Sequence, residues 1–373
     1  MFFPVASLRG SVVPEFENGL FIPRDRRLSA STLIAGAVTA VAPKARTVTY
    51  TPSGGGASVT ISYDILVLAT GISYTGPVAA AHAATVADAR AAYKATQAAV
   101  ASAKNILIIG GGPIGIELAG EIKAAPGGDA KSVTIAHSGA HLISSSVNGN
   151  VATDASLGSA LAKTLERVGV KVLVNTRVLG SGRDDSAAAA AGLRVVGAGI
   201  YAGAASLTTS SGTQISADLQ IWVNGAARPN TGFLSGSGVP LDAAGYVAVE
   251  PTLQVKGQPL IFAIGDVAST THAKTLMTAV MAHVPGVVPN IHAAARAGSS
   301  LIEAAVLKPV KPLGFTAMLV PVGPQAGNGR VFSFVFGDWF AKMKGGDLFL
   351  AKTYKEHKYT EAEVRAAASK VAA

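Results

Sequence analysis

The chain has 373 residues, 49% of them apolar, with 42 glycines and 18 prolines, as expected for a globular protein of two or three domains. It has no cysteine, which excludes a disulfide scaffold, a CxxC redox pair, a thiolate nucleophile and cysteine-based zinc sites, so any redox chemistry belongs to a bound cofactor. Its 31 Lys and Arg against 22 Asp and Glu give a net charge of +9, and no nucleic-acid-binding module accompanies that charge.

Met1-Phe2-Phe3 is neither a secretory signal nor a myristoylation start, so a cytoplasmic location is the default. Residues 47–71, TVTYTPSGGGASVTISYDILVLATG, predict a strand, a hairpin turn at 53–56, a second strand, then Asp64 and an apolar strand ending at Gly71. No GxGxxG stands before this segment.

Residues 104–122, KNILIIGGGPIGIELAGEI, run from a hydrophobic strand into Gly110-x-Gly112-x-x-Gly115 and an amphipathic helix. In such a turn Gly110 allows the tight bend, Gly112 lets backbone amides approach a diphosphate, and Gly115 lets the helix pack on its strand. Pro113 suits the first helical position, where its missing N–H is not needed. Glu117, one turn in, reads either as a favourable charge near a helix N-terminus or as a site residue. The next strand, at 133–137, ends in His137-Ser138 with no acid to hold a ribose 2′-hydroxyl, which favours NADPH or dual use.

A helix near 155–167, a stop at Gly169 and a strand at 170–174 continue a parallel, doubly wound pattern. Residues 206–225 then repeat the plan of 47–71: strand, turn, strand, Asp218, and an apolar strand ending at Gly225. At 260–268, LIFAIGDVA ends an apolar strand at Gly265-Asp266; Asp266 is either the N-cap of the next helix or an acceptor for sugar hydroxyls. The apolar stretch 276–295 is broken by His283, Pro285 and Pro289, and so is no membrane span. His283 and His292 read as packed or hydrogen-bonded, and none of the seven histidines has metal-site spacing.

The block 312–356 predicts strands around GPQAGNGR and a turn at 344–349. Lys342, Lys344, Lys352, Lys355 and Lys358 gather near the C-terminus, reading as part of a generally basic surface or as suited to an anionic membrane surface or a phosphorylated cofactor. Thr360-x-x-Glu363 is a capping box for a last helix.

The glycine turn, YDILVLATG (63–71), VNGAARPNT (223–231) and IFAIGD (261–266) occur together as in two-dinucleotide flavoproteins. The chain resembles the pyridine-nucleotide disulfide oxidoreductase superfamily and, lacking cysteine, its apoptosis-inducing-factor-like branch, with ferroptosis-suppressor-like members. FFPVASLRGSV (2–12), VTIAHSGAHLI (133–143) and KMKGGDLFLAKTYK (342–355) extend the likeness over nearly the whole chain.

The resemblance implies an α/β fold of two Rossmann-like doubly wound domains, the first incomplete, plus a C-terminal α+β region. Residues 1–77 with 245–305 would form an FAD-binding-type domain, 78–244 an NAD(P)H-binding domain, and 306–373 the C-terminal domain. The implied activity is hydride transfer from NAD(P)H to FAD and on to a quinone-type acceptor, with peripheral association with membranes or lipid droplets in some relatives. Glu117 would face the nicotinamide and Lys344 the flavin, or Lys344 is a solvated turn lysine. Thr70, Gly71, Gly225, Gly265 and Asp266 would line the cofactors, beside Gly110, Gly112, Gly115, His137 and Ser138.

Family members open with a βαβ unit bearing its own GxGxxG for FAD, which this sequence lacks, as though it began partway through its first domain. Weak FAD binding is therefore expected. The alternative reading is a flavin-free NAD(P)H-binding or interaction protein.

Overall fold

The computed structural model describes residues 2–26, 31–78, 83, 85–144, 155–180, 184–224, 228–297, 307–315 and 317–370. At the centre of its largest sheet lies the strand Asn105–Ile109, apolar at every position after Asn105 because both its faces are covered. Ile106 and Ile108 enter one core and Leu107 and Ile109 another. The parallel strands Ser132–Ala136 and Val170–Leu173 follow on one side, registered Ile106↔Val133 and Val133↔Val170. On the other side Gln214–Trp222 runs parallel to Asn105–Ile109 and antiparallel to Ile200–Thr208.

The helices Pro113–Ala124 and Ala155–Arg167 connect the parallel strands and bury Ile116, Leu118, Ile122, Leu157, Leu161 and Leu165 at helical spacing. The second face is covered by the short helix Asp185–Ala190 and by Val178 rather than by long crossover helices.

The repeat is less symmetrical than the sequence suggests. Gln214–Trp222 is one continuous strand with Asp218 inside it, because its antiparallel partner runs alongside from Gln214 to Ile221. Asp218 accepts hydrogen bonds from the Lys104 and Asn105 amides at 3.1 and 2.9 Å, fastening the entry of the central strand. In 47–71 the strands do separate. Val59–Ser62 stays in the hairpin with Thr47–Pro52, while Leu66–Leu68 joins Gln258–Ala263 in another sheet. There Leu66–Leu68 is the edge strand, whereas Gln214–Trp222 is flanked on both sides. This second core gathers Val41, Val48, Leu68, Leu234, Val239, Phe262, Val287 and Val310.

In the C-terminal block Ala317–Val322, Ala326–Val331 and Phe334–Phe336 form a three-stranded sheet, followed by helices Asp338–Gly345, Leu350–Glu356 and Glu361–Lys370. GNGR, part of the segment expected to lie between strands, belongs to the Ala326–Val331 strand, where buried Asn328 accepts a hydrogen bond from Thr164 Oγ1 at 2.8 Å. Val320 and Val322 enter the core under the Pro113–Ala124 helix. Phe3, Leu20 and Ile22 pack with Tyr93, Leu350, Tyr354 and Val364, so the first residues of the chain lie against the last helices. The capping box forms, with the Thr360 amide donating to Glu363 Oε2 at 2.8 Å and the Glu363 amide to Thr360 Oγ1 at 3.3 Å.

Candidate functional site

The three glycines of the turn differ in what confines them. Gly110 has φ +129°, a region that favours glycine, and a Cβ there would lie 3.0 Å from the backbone of Val223 and Asn224. A Cβ on Gly115 would collide with the Gly110 carbonyl oxygen, so the helix could not approach its strand. Gly112, the N-cap, has open space: a Cβ there would meet nothing within 4 Å. Pro113 takes the first helical turn. That space faces a helix N-terminus, whose free amides and dipole suit a diphosphate.

His137 stands where a ribose-binding acid would be. It is buried, its Nδ1 accepts from the Gly111 amide at 3.2 Å, and its Nε2 is 2.7 Å from Ser144 Oγ. Burial lowers its pKa, so the ring is neutral and braces the glycine turn. Both ring nitrogens are engaged within the chain; adjacent Ser138 is exposed.

Glu117 and Lys344, far apart in sequence, meet: Lys344 Nζ donates to Glu117 Oε1 at 2.6 Å, with side chains 17% and 12% exposed for Lys344 and Glu117. Lys344 belongs to the last turn of Asp338–Gly345 and is not a solvated turn lysine. Burial pushes the Glu117 carboxyl up, the Lys344 ammonium opposes this, and Glu121 one turn on adds to the rise.

Glu121 has its own partner. Arg9 forks onto it with two bonds of 2.9 Å and also donates to the carbonyls of Gly346 and Gly345 at 2.6 and 2.5 Å. Four charges thus alternate along one face of the Pro113–Ala124 helix, tying the N-terminal segment to the turn that follows Lys344. Arg9 and Glu121 escape the sequence reading, because nothing local in LRG or GEI marks a pairing 112 residues away.

On the opposite flank, Thr70 Oγ1 donates to the Asn230 carbonyl and Asn230 Nδ2 to the Thr70 carbonyl, both at 2.9 Å. The Asn230 amide reaches the Gly71 carbonyl at 3.0 Å, and Ser73 Oγ bonds Asn230 Oδ1. Asn230 therefore locks the 69–71 segment to the returning chain, another role invisible in sequence. Gly225 lies outside the described residues.

Asp266 sits in the tight turn Gly265–Val267 and does not cap the next helix, whose N-cap is Thr275. Burial raises its pKa against the pull of Lys274. The Gly265 amide donates to His283 Nδ1 at 3.0 Å, and His283 Nε2 is 3.0 Å from His272 Nδ1. A π-helical turn at Ala279–His283 precedes the two prolines and carries this buried His283 ring. His292, expected to be packed or hydrogen-bonded, is exposed on the next turns of that helix. Among the described residues no group of three or more His, Asp or Glu is arranged to hold a metal ion.

The open space at Gly112 suits a nicotinamide dinucleotide. For FAD, the desolvated Asp266 carboxylate suits ribityl hydroxyls.

A six-stranded sheet with four parallel strands and a glycine turn, beside a second α/β core, places the chain in the class of Rossmann-like oxidoreductase folds. Residues 15–298 match the pyridine nucleotide-disulphide oxidoreductase family, and the chain belongs to that family. It is 26% identical over 362 residues to apoptosis-inducing factor homolog A of Dictyostelium discoideum, covering 95% of this chain and 83% of that protein. It is 29% identical to the FAD-dependent oxidoreductase FVFD30 of Flammulina velutipes (91% and 95% covered). It is 27% identical to ferroptosis suppressor protein 1 of Mus musculus (94% and 85% covered). Among solved structures, a ferredoxin reductase from Rhodopseudomonas palustris superposes with a TM-score of 0.59 at 15% identity, covering 90% of this chain and 80% of that one. An engineered water-forming NADPH oxidase bound to NADPH gives 0.54 at 21% identity, covering 85% and 64%.

Proposed function

We propose that the protein is an NAD(P)H oxidoreductase that uses FAD and delivers electrons to a quinone-type acceptor, taking NADPH or both nicotinamide cofactors. The observation that carries this reading is the buried Glu117–Lys344 pair, held on the helix whose N-terminus offers the diphosphate site. The Gly110–Gly115 turn binds the diphosphate. Glu117, kept in place by Lys344, orients the nicotinamide carboxamide; the C-terminal layer brings Lys344 to that spot and keeps water away. Ser138 and the absence of an acid at the end of 132–136 favour tolerance of a 2′-phosphate. Thr70, Gly71, Gly265 and Asp266 supply the ribityl side of a flavin site. When bound, a flavin supplies hydride acceptance and onward electron transfer.

A second reading is a flavin-free NAD(P)H-binding protein, since the glycine turn and its helix N-terminus need no flavin to hold a diphosphate. NADPH oxidation measured with added FAD and a short-chain quinone separates them. The first reading requires turnover dependent on both additions, with kcat about tenfold lower or worse in Glu117→Gln and Lys344→Met. NADPH binding without turnover at saturating FAD establishes the second.

A further inference from the structure

Large apolar side chains gather in water on the C-terminal block. Phe332 and Phe334, beside the turn before the Phe334–Phe336 strand, are 56% and 68% exposed. Trp339 and Met343, one turn apart on Asp338–Gly345, are 65% and 61% exposed. Phe336 joins the two pairs: it shares a strand face with Phe334, and its ring meets Trp339 edge-on at 5.8 Å.

Exposed Lys342 lies on the Trp339–Met343 face of the helix. Phe349, the N-cap of the helix that follows, is exposed, as are Lys355 and Lys352 on that helix, the latter 4.0 Å from the equally solvated Glu356 carboxylate. Residues 307–370 hold ten Lys and Arg against five Asp and Glu. A contiguous apolar patch of this kind marks an interaction surface. Trp and Phe rimmed by lysine are the side chains that settle at a lipid headgroup layer. The exposed stripe Leu276, Val280, Val284 and Val288 lacks that chemistry, since no Lys or Arg occurs from 275 to 291.

We propose that this face docks on an anionic phospholipid bilayer. Trp339, Met343, Phe332 and Phe334 enter the headgroup–acyl boundary, while Lys342, Lys352 and Lys355 meet lipid phosphates and carboxylates. No described helix is long and apolar enough to cross a membrane, and Asp338–Gly345 has eight residues, so the contact is interfacial. Lys344 takes no part, being turned to Glu117.

The test is co-sedimentation of the full chain with phosphatidylcholine vesicles, with and without phosphatidylserine. The expected result is binding that needs phosphatidylserine and weakens with salt, about fivefold for each of Lys342→Gln and Lys352→Gln. Trp339→Ser/Met343→Ser binds at least about tenfold more weakly, with melting temperature and NADPH affinity unchanged. Brominated lipid quenches Trp339, while Trp222, 4% exposed, stays bright. The proposal is overturned if wild type does not sediment, if the variants bind like wild type, or if centrifugation shows the face closed in a dimer that persists on dilution.

Discussion

Replacing Arg9 by Met tests whether the charged clamp holds the two ends of the chain on the nucleotide helix. Arg9 and Glu121 are 9% and 5% exposed at the side chain, so the substitution strands a buried carboxylate and also frees the carbonyls of Gly345 and Gly346. Removing one partner of such a pair costs roughly 3–5 kcal/mol, against a net stability of about 5–15 kcal/mol for a whole protein. Urea unfolding followed by tryptophan fluorescence measures the loss. Arg9→Lys keeps the charge but not the planar fork, and recovers only a minority of it. A double-mutant cycle with Glu121→Gln gives a coupling of about 2–3 kcal/mol. A loss below about 1 kcal/mol for Arg9→Met, or additive single effects, refutes the clamp.

Gly115→Ala forces the helix off its strand, costing about 1–3 kcal/mol and weakening NADPH binding; a melt and an affinity both equal to wild type contradict the close approach. His283 is pushed down to about 4 by burial, helped by the charges of His272 and Lys274. The unfolded chain therefore takes up a proton first, and up to about 3 kcal/mol of stability, fully present above pH 6.5, drains away as the pH falls towards 4. His283→Gln keeps an acceptor for the Gly265 amide and removes that proton, so its melting temperature drops less between pH 7 and 4.5; an equal drop argues against this account.

What the sequence disclosed was local. NILII, the glycine turn and TEAE carry their own reasons within a few residues, through burial on both strand faces, a positive φ and a capping box. The Asp64–Asp218 repeat was half visible, because the pattern does not say which strand keeps an antiparallel partner throughout. Glu117 and Lys344 were each singled out, yet their pairing rests on the C-terminal sheet packing against the nucleotide helix. Arg9, Asn230 and the His272–His283 contact were illegible for the same reason: single polar residues acquire roles only when distant elements meet. His137 shows the reverse, a residue marked for the cofactor whose ring is taken up by Gly111 and Ser144.

Gly112→Val separates an NAD(P)H site at Gly110–Gly115 from a turn that serves the fold alone. A Cβ at Gly112 meets nothing within 4 Å and the residue is in extended backbone, so the fold tolerates the substitution while the diphosphate is blocked. Calorimetric titration with NADPH should show saturable one-to-one binding to wild type, and binding at least about tenfold weaker to the variant, a loss of 1.4 kcal/mol or more, at an unchanged melting temperature. Equal affinity in the two proteins, or no binding to either, contradicts it.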